Sequence, residues 1–250
     1  MDGIPGVGEG ELMVGGKMVE RVKALVYLGS ELDWKGGCGG EVRRRVAAAA
    51  AAFERLKALW SARSVTQGTK LLVYRAMVRT ALVYAAGRWA LGTEGLRALE
   101  VFDRSRLRRL LKVRWEDRIS NEELVRLAGL PGLREVIVGC MWRWLGHVLR
   151  MGTGRLPRRL LAYDPRDLGA KRKVGGVRVS WRRVVVKEAW EGIPGSFWPE
   201  GRKPHWVRWK ERGWWEILGG MARERTNWRK VVAAVVGHVS RACGQKLNSV

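Results

Sequence analysis

The sequence has little of several things on which chemistry depends. Its 250 residues hold only three cysteines and three histidines. Cys38, Cys140 and Cys243 are isolated and odd in number, which speaks against a disulfide framework and for a reducing compartment. His147, His205 and His238 stand far apart and no Cys-x-x-Cys occurs; His238 with Cys243 would supply at most two ligands, short of a zinc set. No metal and no other cofactor is expected. No uncharged apolar run approaches the roughly 18 to 20 residues of a membrane span. The longest candidate, Val46 to Phe53, is an alanine tract with Arg43, Arg44 and Arg45 in front and Glu54 behind. The opening Met1-Asp2-Gly3 has neither the basic nor the apolar segment of a signal peptide. The expected location is intracellular, nuclear or cytoplasmic, and no membrane partner is expected.

Catalytic constellations are equally scarce. The six aspartates (2, 33, 103, 117, 164 and 167) include no adjacent pair. Two-metal catalysis needs carboxylates on rigid elements around ions about 4 Å apart. Tyr163-Asp164-Pro165-Arg166-Asp167 comes nearest, and its proline makes it a plain turn. There is no Gly-x-x-x-x-Gly-Lys-Ser/Thr loop and no Gly-x-Ser-x-Gly elbow. The chain is expected not to be a complete catalyst and to take no small-molecule substrate.

What is abundant is positive charge. Lys and Arg number 48 against 24 Asp and Glu, a net +24 with a pI near 11.1. Arginine contributes 35 of the 48, the residue suited to bidentate phosphate contact, although gene base composition produces the same bias. Such a charge repels itself unless a polyanion neutralises it, so RNA, an RNA–DNA hybrid or DNA is the leading partner. The charge is uneven: −2 over residues 1–40, +15 over 41–160 and +11 over 161–250. At 46% hydrophobic the chain can still bury a core.

Periodicity predicts a mainly α fold behind a small β-element. Residues 1–10 are Gly-rich and expected to be loose. Over 11–40, Glu11 to Val14 and Lys17 to Val19 read as strands around Gly15-Gly16, and Ala24 to Leu28 as a third apolar run stopping at Gly29-Ser30. Over 41–151 five helices follow. The first spans Glu41 to Trp60, with Val42, Val46, Ala49, Phe53, Leu56 and Trp60 in one stripe, and the second runs from near Thr66 to Trp89. The third is capped by Thr93 and ends near Lys112; the fourth opens on a capping box, Ser120 to Glu123; the fifth runs from Leu133 to Met151. Residues 152–176 are expected to be a linker. Residues 177–250 are expected to form a basic, Trp-rich, partly irregular region ending in a helix from Trp228 to about Ser240. Eight of the 14 tryptophans lie between Trp181 and Trp228. Trp60, Trp89, Trp142 and Trp144 read as core; Trp206, Trp209, Trp214 and Trp215 read equally as core or as base-stacking platforms.

Basic clusters are the candidate binding residues: Arg43, Arg44 and Arg45; Lys70; Arg104, Arg108 and Arg109; Arg143, His147 and Arg150; Arg158 and Arg159; and Lys171, Arg172 and Lys173. Any one of them could be a solvated helix face. Together, with few acidic residues at i±4, they are better explained by phosphate contact.

The order of motifs resembles the region after the palm in LINE-type non-LTR retrotransposon reverse transcriptases. The resemblance rests on Val26-Tyr27-Leu28-Gly29-Ser30, Glu41 to Ala47, Thr69 to Ala76 and Leu107 to Leu111, followed by Trp115 to Glu122, Arg143 to Met151 and Arg155 to Arg158. It covers about residues 11–160, and more loosely Trp181-Arg182-Arg183 and Arg223 to Arg229. It implies that Tyr27, Leu28 and Gly29 form a primer-grip-like hairpin and that a helical, thumb-like domain holds template–primer backbone. The palm's catalytic carboxylates are not matched, so the remainder of a reverse transcriptase is an implied partner. Two other readings stay open. One is a thumb piece acting in trans. The other is a domesticated helical DNA-binding module, in which Ser120 to Gly129 and Leu133 to Met151 pass for a helix-turn-helix.

Overall fold

The structure, a computed structural model, describes residues 12–20, 22–33, 37–162, 181, 184–185, 192–198 and 212–245. The protein is mainly helical behind a small β-element, as the periodicity predicts, and that element consists of two short hairpins. Strand β1 (Leu12–Val14) pairs antiparallel with β2 (Lys17–Val19) around Gly15-Gly16, whose φ values of 58° and 76° fit a tight hairpin turn. Strand β3 (Ala24–Tyr27) pairs with β4 (Ser30–Asp33), opposing Tyr27 to Ser30. The sequence does not announce β4, because its Glu31 and Asp33 are poor strand formers. Pairing with β3 and packing against the first helix hold it in place.

Helix α1 (Gly39–Arg55) contains the alanine tract and buries Val42, Ala49, Ala52 and Phe53. The single helix expected to Trp60 is interrupted at Leu56, and α2 (Lys57–Ser61) restarts it. The Trp60 indole supplies a reason. It stacks on Phe53 at 5.2 Å and donates its N–H at 2.8 Å to the Phe53 carbonyl, which at the end of α1 also accepts from the Leu56 amide at 3.2 Å.

Helix α3 (Gln67–Val73) starts where expected, with the Thr66 hydroxyl accepting from the Thr69 amide at 3.2 Å. It passes into a π-helical segment, Tyr74–Arg79, and then α4 (Thr80–Leu82). The predicted continuation to Trp89 fails because Ala85 turns left-handed (φ 63°) and a 3₁₀ turn, Ala86–Arg88, follows.

Helix α5 (Thr93–Leu111) begins one residue from the predicted cap: Gly92 holds the cap position without a side-chain bond, and Thr93 is already helical. Helix α6 (Asn121–Leu127) is capped by the Ser120 hydroxyl, which accepts from the Glu123 amide at 3.1 Å. The Glu123 carboxylate pairs forward with Arg126 at 3.1 Å rather than closing the predicted box.

Helix α7 (Leu133–Leu149) is the central element, burying Ile137, Val138, Met141, Trp142, Leu145 and Val148. Trp144, expected in the core, is only half-buried, as is Cys140 one turn before it. Helix α8 (Leu156–Ala162) occupies the start of the expected linker, and its Leu161 is in the core. Helices α9 (Arg212–Arg223) and α10 (Arg225–Gln245) pack on α7. Trp228 stacks on Trp142 at 5.5 Å and donates to the Trp142 carbonyl at 3.0 Å. One hydrophobic cluster therefore extends from Val42 to Val239 and includes Trp215, Trp228 and Val239 of the C-terminal region. Trp89, Trp142 and Trp215 are buried, and Trp60 and Trp144 half-buried. Residues 1–10, expected to be loose, residues 163–167, expected to form a turn, the rest of the expected linker and the Trp206 and Trp209 side chains lie outside the described residues, as does the side chain of Trp214.

Candidate nucleic-acid interface

The β3–β4 hairpin turns through Leu28 and Gly29, at φ 48° and 75°. Both values are left-handed, as a two-residue turn matched to strand twist requires. Glycine adopts this freely, whereas leucine does so at a cost of about 1–2 kcal/mol. Three contacts hold the turn. Arg45 donates to the Gly29 carbonyl at 2.7 Å, Tyr84 donates to the Leu28 carbonyl at 3.0 Å, and the Glu31 amide donates to the Glu41 carboxylate at 2.6 Å. Glu41 also pairs with Arg45 at 3.1 Å, and the Arg45 guanidinium lies 5.1 Å from the centre of the Tyr84 ring. A β-carbon at Gly40 would overlap the Glu31 carboxylate where it stands, so the end of that side chain lies over the start of α1. The backbone of the turn faces the helices while Leu28 stays 71% exposed and Tyr27 56%.

Arg45 thus departs from the sequence expectation. Only 8% exposed and engaged by Gly29, Glu41 and Tyr84, it anchors the hairpin instead of reaching for phosphate. Lys70 departs likewise. Its ammonium is buried against the carbonyls of Trp60 (2.9 Å) and Ala62 (2.7 Å), neutralising the C-terminal end of α2. We expect Arg45→Met to cost about 1–3 kcal/mol, because the Gly29 carbonyl loses its donor and the buried Glu41 carboxylate loses its paired charge. Denaturant unfolding measures this, and hydrogen exchange should show the loss of protection concentrated at residues 28–31.

The other candidates divide by environment. Arg43 and Arg44 are exposed on α1, directly before the anchor residue, and Arg143 and His147 are exposed one turn apart on α7. His147 leans on Trp144 at 5.4 Å, and Arg143 donates to the Cys140 sulfur at 3.2 Å. Arg159 is exposed on α8. Arg104 pairs with Glu100 at 3.0 Å, and Arg109 pairs with Glu54 at 3.2 Å while covering Phe53. Arg108 donates to the Ile119 carbonyl and the Asn121 side chain, tying α5 to the loop before α6. Arg150 donates to the Ala222 carbonyl on α9 at 3.2 Å. Burial lowers the pKa of Arg150, with Arg225 adding repulsion, and burial lowers that of Arg158 against the opposing pull of Glu216. One Arg158 nitrogen, Nη1, is buried with no hydrogen-bond partner among the described residues. A desolvated guanidinium in that state gains from an anion. Lys171, Arg172 and Lys173 lie outside the described residues.

Sequence reading missed the buried charges. Asp103, 1% exposed, receives Arg79 Nε at 2.8 Å, Arg79 Nη2 at 2.6 Å and the Tyr74 hydroxyl at 2.9 Å. Arg79 also donates to the Pro131 carbonyl at 2.7 Å. In an α-helix, residues five apart lie on different faces; the wider π turn rotates Tyr74 and Arg79 towards one. Burial works against the Arg79 charge, and its bonds to Asp103 more than offset this and raise its pKa. Burial likewise pushes the Tyr74 phenol far up, with Asp103 adding to it. No signal in the sequence marks this triad, because its members are 24 and 29 positions apart.

Burial raises the Cys38 thiol, so it is not an activated thiolate. Among the described residues no three His, Cys, Asp or Glu side chains could hold a metal ion, and no helix is long and apolar enough to cross a membrane. A cleft of about 290 Å³ between α5, α6 and α7 has mixed lining charges, among them Glu100, Arg104, Arg126 and Glu135. No family model, no curated protein and no solved structure matches the chain.

Proposed function

We propose that the protein is a nucleic-acid-binding, thumb-like module of the LINE-type reverse-transcriptase kind, which grips the backbone of an RNA–DNA or RNA duplex and leaves polymerisation to a palm elsewhere. The observation that carries this reading is the anchored turn. A bulky residue, Leu28, is held exposed in a conformation leucine disfavours, and the arginine that anchors its neighbour Gly29 follows directly on the exposed pair Arg43 and Arg44. Local strain kept in place by surrounding contacts points to use of the strained residue. The order of sequence motifs supports the same reading, with Tyr27, Leu28 and Gly29 as the grip on the primer end. The exposed cations Arg43, Arg44, Arg143 and Arg159 would take phosphates, with His147 beside Arg143. The half-buried Arg104, Arg108, Arg150 and Arg158 would form the margin of that surface, together with Arg109, which Glu54 partly neutralises.

Charge reversal of Arg43 and Arg44 together tests the proposal without touching the core. The variant should weaken binding to RNA–DNA hybrid and flatten the slope of log K against log salt by about 0.7 to 0.9 for each phosphate no longer neutralised. A salt titration in which the slope does not change would remove α1 from the interface. A strong base preference in a randomised-duplex selection would favour the helix-turn-helix reading of α6 and α7 instead.

A further inference from the structure

We infer that Trp115 is a stacking platform for an unpaired nucleobase, a site that rests on the nucleic-acid reading above and gives that surface a ligand beyond phosphate. Trp115 is 85% exposed, more than any other large hydrophobic side chain described, whereas Trp89, Trp142, Trp198, Trp215 and Trp228 are buried. A tryptophan left in water forfeits the largest apolar burial any side chain offers.

The loop that presents it is built rather than slack. It starts at Lys112 (φ 56°) and turns back at Arg118 (φ 49°), two non-glycine residues in the left-handed region. Between them a 3₁₀ turn, Trp115–Asp117, is closed by the Arg114 amide donating to the Asp117 carboxylate at 2.7 Å. Behind it, Arg108 holds the returning chain through the Ile119 carbonyl at 3.2 Å and the Asn121 side chain at 3.1 Å. The backbone that carries the indole is therefore held in place, and the ordering cost of binding falls on the Trp115 side chain alone.

The surroundings favour a base over an apolar protein partner. Lys112, Arg114 and Arg118 are exposed around the indole in sequence, and Asp117, one of two nearby acids, is engaged by its own loop. An aromatic face among cations is how proteins hold single-stranded nucleic acid, since every base has a π-face and the backbone needs counter-charge. An apolar protein partner would instead be met by a contiguous hydrophobic patch.

The test uses the full chain and an RNA–DNA duplex, either blunt or carrying a short single-stranded extension with 2-aminopurine. The wild type should bind the extended form more tightly and quench the 2-aminopurine. Trp115→Ala should lose the quench and on the order of 10-fold in affinity for the extended form, with blunt-duplex affinity and salt slope unchanged. Trp115→Phe should retain part of both. Because the side chain touches solvent, both variants should melt like the wild type. If Trp115→Ala binds and quenches like the wild type, the platform is overturned while backbone binding stands. If the wild type binds neither duplex, the proposed function itself fails and the platform with it. If Trp115→Ala abolishes concentration-dependent self-association in sedimentation, leaving the extended form bound as before, the indole belongs to a contact between copies and the inference is overturned.

Discussion

Asp103→Asn should destabilise the protein by about 3–5 kcal/mol, the cost of leaving one charge of a buried pair without its partner. Arg79 is 4% exposed and makes two bonds to Asp103, so the guanidinium cannot reach water without opening the junction of the π segment with α5. An asparagine keeps the shape and one acceptor, and it removes the charge. The reverse experiment separates charge from packing. Replacing the group together, as Tyr74→Phe, Arg79→Met and Asp103→Leu, should recover most of the loss, since well-packed apolar groups often substitute for a buried ion pair at little cost. The Pro131 carbonyl then loses the Arg79 donor, which sets the residual cost at about 1–3 kcal/mol. Denaturant midpoints at constant m-value measure both. A loss below about 1 kcal/mol for Asp103→Asn would show that Arg79 finds another counter-charge.

Gly146→Ala should cost about 3–5 kcal/mol, although helix propensity alone predicts a gain of about 1 kcal/mol at a helix-interior glycine. The opposite signs make the result decisive. Gly146 lies in α7, where a β-carbon would overlap the Trp228 indole and stand 2.6 Å from its Cε2 atom. That indole is 3% exposed, stacked on Trp142 and bonded to the Trp142 carbonyl. It cannot shift without giving up both interactions, so the added methyl expels it and loosens α10 from α7. The loss then approaches that of truncating a core tryptophan. In a double-mutant cycle, Gly146→Ala on a Trp228→Ala background should cost less than about 1 kcal/mol, because the obstructing ring is gone. Equal costs on the two backgrounds would place the effect elsewhere in α7.

These two sites also mark where reading the sequence stops. The α7 stripe of Leu133, Ile137 and Val148 is visible as spacing, because a helix that buries one face must repeat at three and four. That Gly146 is a socket for an indole 82 positions later is not visible, since no local preference encodes it. Similarly, Arg43, Arg44 and Arg45 look alike as a run. Helical geometry turns the third inward onto Glu41, one turn earlier, and leaves the first two outside. The second helix departs from its predicted regular course for the same kind of reason: Tyr74 and Arg79 both meet Asp103, and the helix widens to let them.

The sequence by itself determined the class of fold, mainly helical behind short hairpins, because apolar spacing, caps and glycine turns act over a few residues. It also determined the excess of positive charge, which is a sum and needs no geometry. The tertiary structure alone decided which cations are free and which are structural, and which tryptophans are core. It also merged α9 and α10 with the central helices and seated the Tyr27–Gly29 turn on α1. Those outcomes depend on desolvation, and desolvation depends on neighbours brought together from distant parts of the chain.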